Sequence, residues 1–185
     1  MFLDQSGFSP TLPNGFTWAR VGERKLVRHE APEGRRINVV GAWAPYDPAG
    51  AHLVFETRRA DEGKYDAAAH VRFVTEQIAG LPAERPDDYR RARPCVVVLD
   101  NYAVHHSKVV KAEVPMLKSA GVSFFFLPPY SPELNMIEPI WRQVKYQDIP
   151  DRSFLTIEQL QSAVVTALTA RSGSSQSTIQ LRQSA

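Results

Sequence analysis

Cys95 is the only cysteine in 185 residues, so no intrachain disulfide is possible, which fits a reducing compartment. No apolar run is long enough to cross a bilayer as a helix, and the N-terminus carries no signal-peptide pattern. That removes a helical membrane span from the reading. A charge excess is also missing: 22 Lys and Arg face 20 Asp and Glu, and the net of +2 is too small to demand a nucleic-acid partner. There is no internal repeat, which sets solenoids and propellers aside. What remains is 43% apolar and 23% charged, the balance of one globular domain with a sizeable core.

Charge is distributed less evenly than its total suggests. RVGERKLVRHEAPEGRR (20–36) holds six Lys and Arg, Arg24 and Lys25 among them, against three Glu, and RPDDYRRAR (85–93) forms a second basic cluster. Such patches either hold phosphates or are simply solvated.

The first third reads as an antiparallel meander. Phe2-Leu3 is a short apolar start, TLPNG (11–15) a turn, FTWARV (16–21) a strand, INVVGAWA (37–44) another, YDPAG (46–50) a turn and HLVFE (52–56) a further strand. The period then changes. Residues 64–80 carry Ala68, Val71, Phe73, Val74 and Ile78 at near-helical spacing, stopped by Gly80 and Pro82. CVVVLD (95–100) and VSFFFL (122–127) read as strands buried on both faces. Between them Ser107 caps a helix running to about Ala120, with Pro115 inside it. A strand–helix–strand unit makes these two strands parallel. Ser131-Pro132 reads as the start of another helix, and Thr156 opens one over 156–170. The Ser/Gln-rich end, 171–185, reads as a disordered tail behind a single domain, 1–170. The sum is an α/β domain with a mixed sheet.

Sites in open α/β sheets form at the carboxyl ends of parallel strands. Asp100 is at such an end, and Asp4 follows an apolar strand start. On a wheel from Leu134, the apolar residues Leu134, Ile137, Trp141 and Val144 centre near 320° and Glu138 lies at about 40°, on the flank of the buried face. Asn135, Arg142 and Lys145 share that flank, as phosphate contacts or as ordinary solvated residues. Three carboxylates on three elements suit Mg²⁺ or Mn²⁺ if they converge, and two such ions roughly 4 Å apart assist phosphodiester chemistry. Spacing alone does not bring the three together. His105 and His106 with Cys95 match no zinc spacing. Trp18, Trp43 and Trp141 read as core.

Three blocks, LDQSGF (3–8), VVLDNYAVHHS (97–107) and FFFLPPYSPELNMIEPIWRQVK (124–145), resemble the catalytic domain of DDE transposases, in the bacterial insertion-sequence branch of the mariner-type superfamily. The third block is the specific one. The resemblance spans about residues 1–148 and implies an RNase H-like fold, a five-stranded mixed sheet with helices on both faces. It implies Asp4, Asp100 and Glu138 as catalytic residues holding two Mg²⁺ or Mn²⁺ ions. Those ions support cleavage of DNA by water, then attack of the freed 3′-OH on target DNA. Asn101, His105, Asn135, Arg142, Lys145, Arg24 and Lys25 are the candidate DNA contacts, His105 at the scissile phosphate.

The implied partners are double-stranded DNA, as transposon ends and as target, and a second copy of the chain in a homodimer. The implied location is a bacterial cytoplasm, at the nucleoid. Relatives carry an N-terminal helix-turn-helix domain that reads the element ends, whereas only Met1-Phe2-Leu3 precede Asp4. The sequence therefore reads as a catalytic domain alone, a second reading frame served by a separate helix-turn-helix polypeptide, or a truncated gene. Met136 stands where relatives carry Pro, and Gln5 where an acidic residue is common. Two other readings are a catalytically inactive remnant with weak DNA affinity and another RNase H-like nuclease, such as a junction resolvase.

Overall fold

The computed structural model describes residues 1–10, 20–23, 36–82, 84, 86, 88–149 and 154–172. The strand expected at 16–21 and the TLPNG turn lie wholly or mostly outside them, as do Trp18, Arg24, Lys25 and the tail from 173.

Five strands form one mixed sheet in the order β3-β2-β1-β4-β5. β1 (Phe2–Phe8), β2 (Ile37–Ala44) and β3 (His52–Arg59) pair antiparallel as the expected meander. β4 (Cys95–Leu99) joins β1 in parallel, and β5 (Val122–Phe126) joins β4 in parallel. The crossover is α2 (Lys108–Ser119), capped by the Ser107 hydroxyl, which accepts from Val110 N–H, with Pro115 inside it.

β1 is longer than its apolar start suggested. It continues through Asp4 and Gly7 to Phe8 and occupies the centre of the sheet. The polar residues Asp4, Gln5 and Ser6 hid it, because a strand is read from its side chains while the ladder is made by its backbone.

Side-chain alternation divides the core in two. Leu3, Val40, Ala42, Val97, Leu99 and Val122 pack with α2 and with α1 (Ala67–Phe73) and the π-helical turns Val74–Ala79 that extend it. Phe8, Ile37, Val39 and Leu53 pack on the other face against α3 (Glu138–Gln143) and α4 (Ile157–Arg171). Helices therefore cover both faces. α4 reaches one residue into the expected tail, where Arg171 makes a bidentate ion pair with Asp148 and Ser172 caps the helix.

Two expectations need correction. β4 and β5 are buried on one face only: Val96 is 53% and Phe125 57% exposed. Among the described residues α3 and α4 cover the β1–β3 half of their face and leave this half open. A continuous apolar run cannot report which neighbour is missing. The second correction concerns the helix start. Ser131 opens only a 3₁₀ turn, Pro132–Leu134, Asn135 is extended, and α3 begins at Glu138. A helix running unbroken from Ser131 would put Pro139 in its interior, where it lacks an N–H and clashes one turn back. Restarting at Glu138 places Pro139 in the first turn, where no N–H is needed. Leu134 is accordingly exposed, whereas Ile137, Trp141 and Val144 are buried.

Candidate active site

The parallel register pairs Phe2 with Val98. Two residues further along each strand stand Asp4 and Asp100, level with one another and, by alternation, on the side of the sheet that carries α3. Glu138 arrives from the other direction as the first residue of α3, where the helix N-terminus favours a negative charge. All three carboxylates line one cleft, together with Asn101, Tyr102, Asn135 and the loop Leu127–Pro132.

Asp4 is the best supported of the three. Its neighbour on β2 is Gly41, where a Cβ would lie 2.6 Å from the Trp141 ring, so the missing side chain admits the indole. Trp141 Nε1 then donates to Asp4 Oδ2 at 3.1 Å. Trp141 is a core residue, as expected, and also holds a cleft carboxylate. Gly41 and this second role of Trp141 escaped the sequence reading, because only the β1–β2 register reveals that they meet.

The Asp4 and Asp100 carboxylates sit in opposite environments. Burial pushes the Asp4 carboxyl up to about 7, and the charges of Glu138 and Asp100 add to the rise against hydrogen bonds from the Gln5 backbone and Trp141. Asp100 is held below the usual range by a hydrogen bond from the His105 ring and another from Tyr102 N–H.

The candidate contacts divide by burial. His105 is 3% exposed, with Nδ1 3.1 Å from Asp100 Oδ1 and 3.2 Å from the Asp100 carbonyl. Asn135 is 3% exposed and donates from Nδ2 to the Leu3 carbonyl at 3.2 Å. His105 holds Asp100, and Asn135, which lines the cleft, ties the entry of α3 to β1. The wheel puts Asn135 on the polar flank of one helix, whereas the extended backbone at that residue, between the 3₁₀ turn and α3, turns its side chain inward. Asn101 lines the cleft, donates from Nδ2 to the Leu127 carbonyl and places Oδ1 3.3 Å from His106 Nε2. Arg142 is exposed. Lys145 lies with Nζ 5.3 Å from the centre of the Phe8 ring; burial lowers its pKa while Glu138 and Asp4 oppose that shift.

On the rim, Tyr130 is fully exposed and has φ 56°, a left-handed backbone that non-glycine residues rarely adopt. Pro128, Pro129 and Pro132 surround it.

The donor chemistry fits a hard divalent cation. Every carboxylate is an oxygen ligand, and the Asn135 Oδ1 beside them is buried with no hydrogen-bond partner. Among the described residues, however, no three His, Cys, Asp or Glu side chains are gathered tightly enough to hold one ion as they stand.

A search of the curated proteins finds no match. Among solved structures, the chain is similar to the Mos1 transposase in its paired-end complex with the left transposon end, at TM-score 0.63 and 16% identity over 91% of this chain and 47% of that one. It is also similar to the Mos1 mariner paired-end complex with Mn, at TM-score 0.60 and 14% identity over 92% and 48%. The chain thus spans about half the length of these transposases, and at such identities the likeness shows the fold, the RNase H-like arrangement expected from the sequence. The profile of the DDE superfamily endonucleases matches residues 1–161. A match over most of the sequence makes this chain a member of the DDE superfamily endonucleases.

Proposed function

We propose that this chain is the catalytic domain, residues 1–170, of a bacterial insertion-sequence transposase, cutting DNA at the element ends and joining the freed 3′-OH to target DNA. The observation that carries the reading is that Asp4, Asp100 and Glu138 line one cleft, with the Asp4 carboxyl raised by burial and, in smaller part, by the charges of the other two.

These side chains are the ligands for two Mg²⁺ or Mn²⁺ ions. Asp4, on the central strand and within electrostatic reach of both partners, would be one of the ligands holding them. Such a pair supplies activation of the attacking oxygen and stabilisation of the leaving one. The protein's own contribution is geometric. β1 and β4 fix two ligands on rigid strands, and the Asn135 tie fixes where α3 delivers the third. Trp141 and His105 orient Asp4 and Asp100 by hydrogen bonds. Arg142 and Lys145, beside Glu138, and Asn101 in the cleft are the contacts for the DNA backbone, with Arg24 and Lys25 as outlying ones. Double-stranded DNA, a second copy of the chain and a helix-turn-helix partner polypeptide complete the assembly, in a bacterial cytoplasm.

Purified protein with Mn²⁺ or Mg²⁺ nicks DNA carrying the element ends, and Asp100→Asn abolishes nicking. Cleavage by that variant at the wild-type rate refutes the reading.

One observation favours a second reading, an inactive remnant: the carboxylates are not gathered around one point as they stand. Calorimetry separates the two. Uptake of divalent ions by the wild type, lost in Asp4→Asn, supports the enzyme; no uptake supports the remnant.

A further inference from the structure

Behind Asp100 lies a file of buried polar rings that runs from His105 back to His70 and Tyr65. His105, on the turn after β4, approaches His70 of α1 with ring centres 4.6 Å apart. His70 is wholly buried, and its Nδ1 is 3.2 Å from the Tyr65 hydroxyl. The Nε2 atoms of both histidines are buried and have no hydrogen-bond partner.

The hydrogen-bonding roles follow from what each atom faces. His105 Nδ1 faces the Asp100 carbonyl and carboxylate, which only accept, so Nδ1 carries the proton. In the neutral ring, Nε2 is then a bare acceptor in need of a donor. If His70 donated from Nδ1 to Tyr65, its own Nε2 would be bare too, leaving two lone pairs buried beside one another. The reverse polarity leaves a donor facing each acceptor: Tyr65 O–H donates to His70 Nδ1, and His70 Nε2–H is the donor that one buried water relays to His105 Nε2.

We propose that His105 and His70 are positioning residues for Asp100, acting as a one-way hydrogen-bond file, Tyr65→His70→His105→Asp100. Tyr102 N–H donates to the same Asp100 oxygen, Oδ1, at 3.1 Å. Two donors therefore fix Oδ1, and Oδ2, which takes no hydrogen bond among the described residues, is left for the cleft. The file couples α1 to the carboxylate across the end of the sheet. Its service to metal binding rests on the function proposed above; its polarity does not.

The test has two arms. Long-range ¹⁵N–¹H correlation spectra of the full, metal-free chain at neutral pH show His105 protonated at Nδ1 only and His70 at Nε2 only. Either ring in the opposite tautomer, or His105 protonated on both nitrogens, overturns the file. In the second arm, His105→Leu weakens Mn²⁺ binding roughly 10- to 100-fold. His105→Asn, whose amide N–H takes the place of Nδ1–H, recovers most of it. His70→Phe moves the His105 nitrogen shifts and weakens Mn²⁺ binding, and His70→Gln, which keeps a terminal N–H donor, restores both should the Phe variant fail to fold. Wild-type affinity in a folded His105→Leu protein overturns the positioning role. If the wild type takes up no Mn²⁺, the transposase reading fails, and the nitrogen shifts alone decide the file.

Discussion

Asp4 combines two opposed demands in one side chain. Its carboxyl, at about 7 in the folded protein against 3.8 ordinarily, keeps a proton that the unfolded chain has already released between those values. The folded state is therefore penalised as pH rises through this window, and fully so above about 7. Asp4→Asn removes that penalty while keeping an acceptor for Trp141. The variant gains about 2 kcal/mol over the metal-free wild type at pH 8, discounted from the full shift for partial solvent access, and nothing below pH 4. Urea titrations at the two pH values measure the difference; an equal effect at both would mean that the carboxyl is not shifted. Beside it, Gly41→Ala brings a Cβ against the Trp141 ring. The displaced indole lets go of Asp4, and overpacking costs about 1–3 kcal/mol, read as a lower Tm and altered tryptophan fluorescence. Of these residues the sequence disclosed the carboxylates, through motif blocks, but not their supports. His70 and His105 are joined by tertiary packing alone, and no periodicity links Gly41 to Trp141.

At the scale of elements, the entry of α3 decides where Glu138 stands. Asn135 ties this entry to β1 through the Leu3 carbonyl. Asn135→Ala leaves that carbonyl without its side-chain donor and costs about 1–3 kcal/mol, with a larger loss of Mn²⁺ affinity than the stability change alone explains. Chemical denaturation and calorimetry on the same variant separate the two effects; unchanged affinity would remove the tie from the site. The parallel pair β4–β5 and its crossover helix were legible because apolar runs flanking a capped helical stretch leave few topologies. The start of α3 was not, because Ser131-Pro132 is a sound local start signal overruled by Pro139 seven residues later. The extent of β1 was hidden for a different reason: its backbone pairing is independent of the polar side chains it carries.

For the whole molecule, divalent cations should act as folding ligands. Binding to the native state alone raises Tm in proportion to the logarithm of free ion over Kd. Because the ion competes with the proton on Asp4, the rise on adding Mn²⁺ grows from pH 6 to pH 8, and EDTA reverses it. Differential scanning calorimetry across that range gives the answer, and a Tm insensitive to Mn²⁺ at pH 8 would speak for the remnant. The sheet is clad unevenly at this scale. Phe125→Lys, on the open side of β5, changes stability by less than about 0.5 kcal/mol, whereas Leu99→Ala, on the opposite, packed face of β4, costs about 2–5 kcal/mol.

The loop that carries Tyr130 bears on how the cleft meets its substrate. A left-handed tyrosine flanked by prolines has few other shapes to visit, so the rim acquires its form while the chain folds. Little freedom would then be left to surrender on binding the proposed DNA substrate, which would meet a wall that is already set.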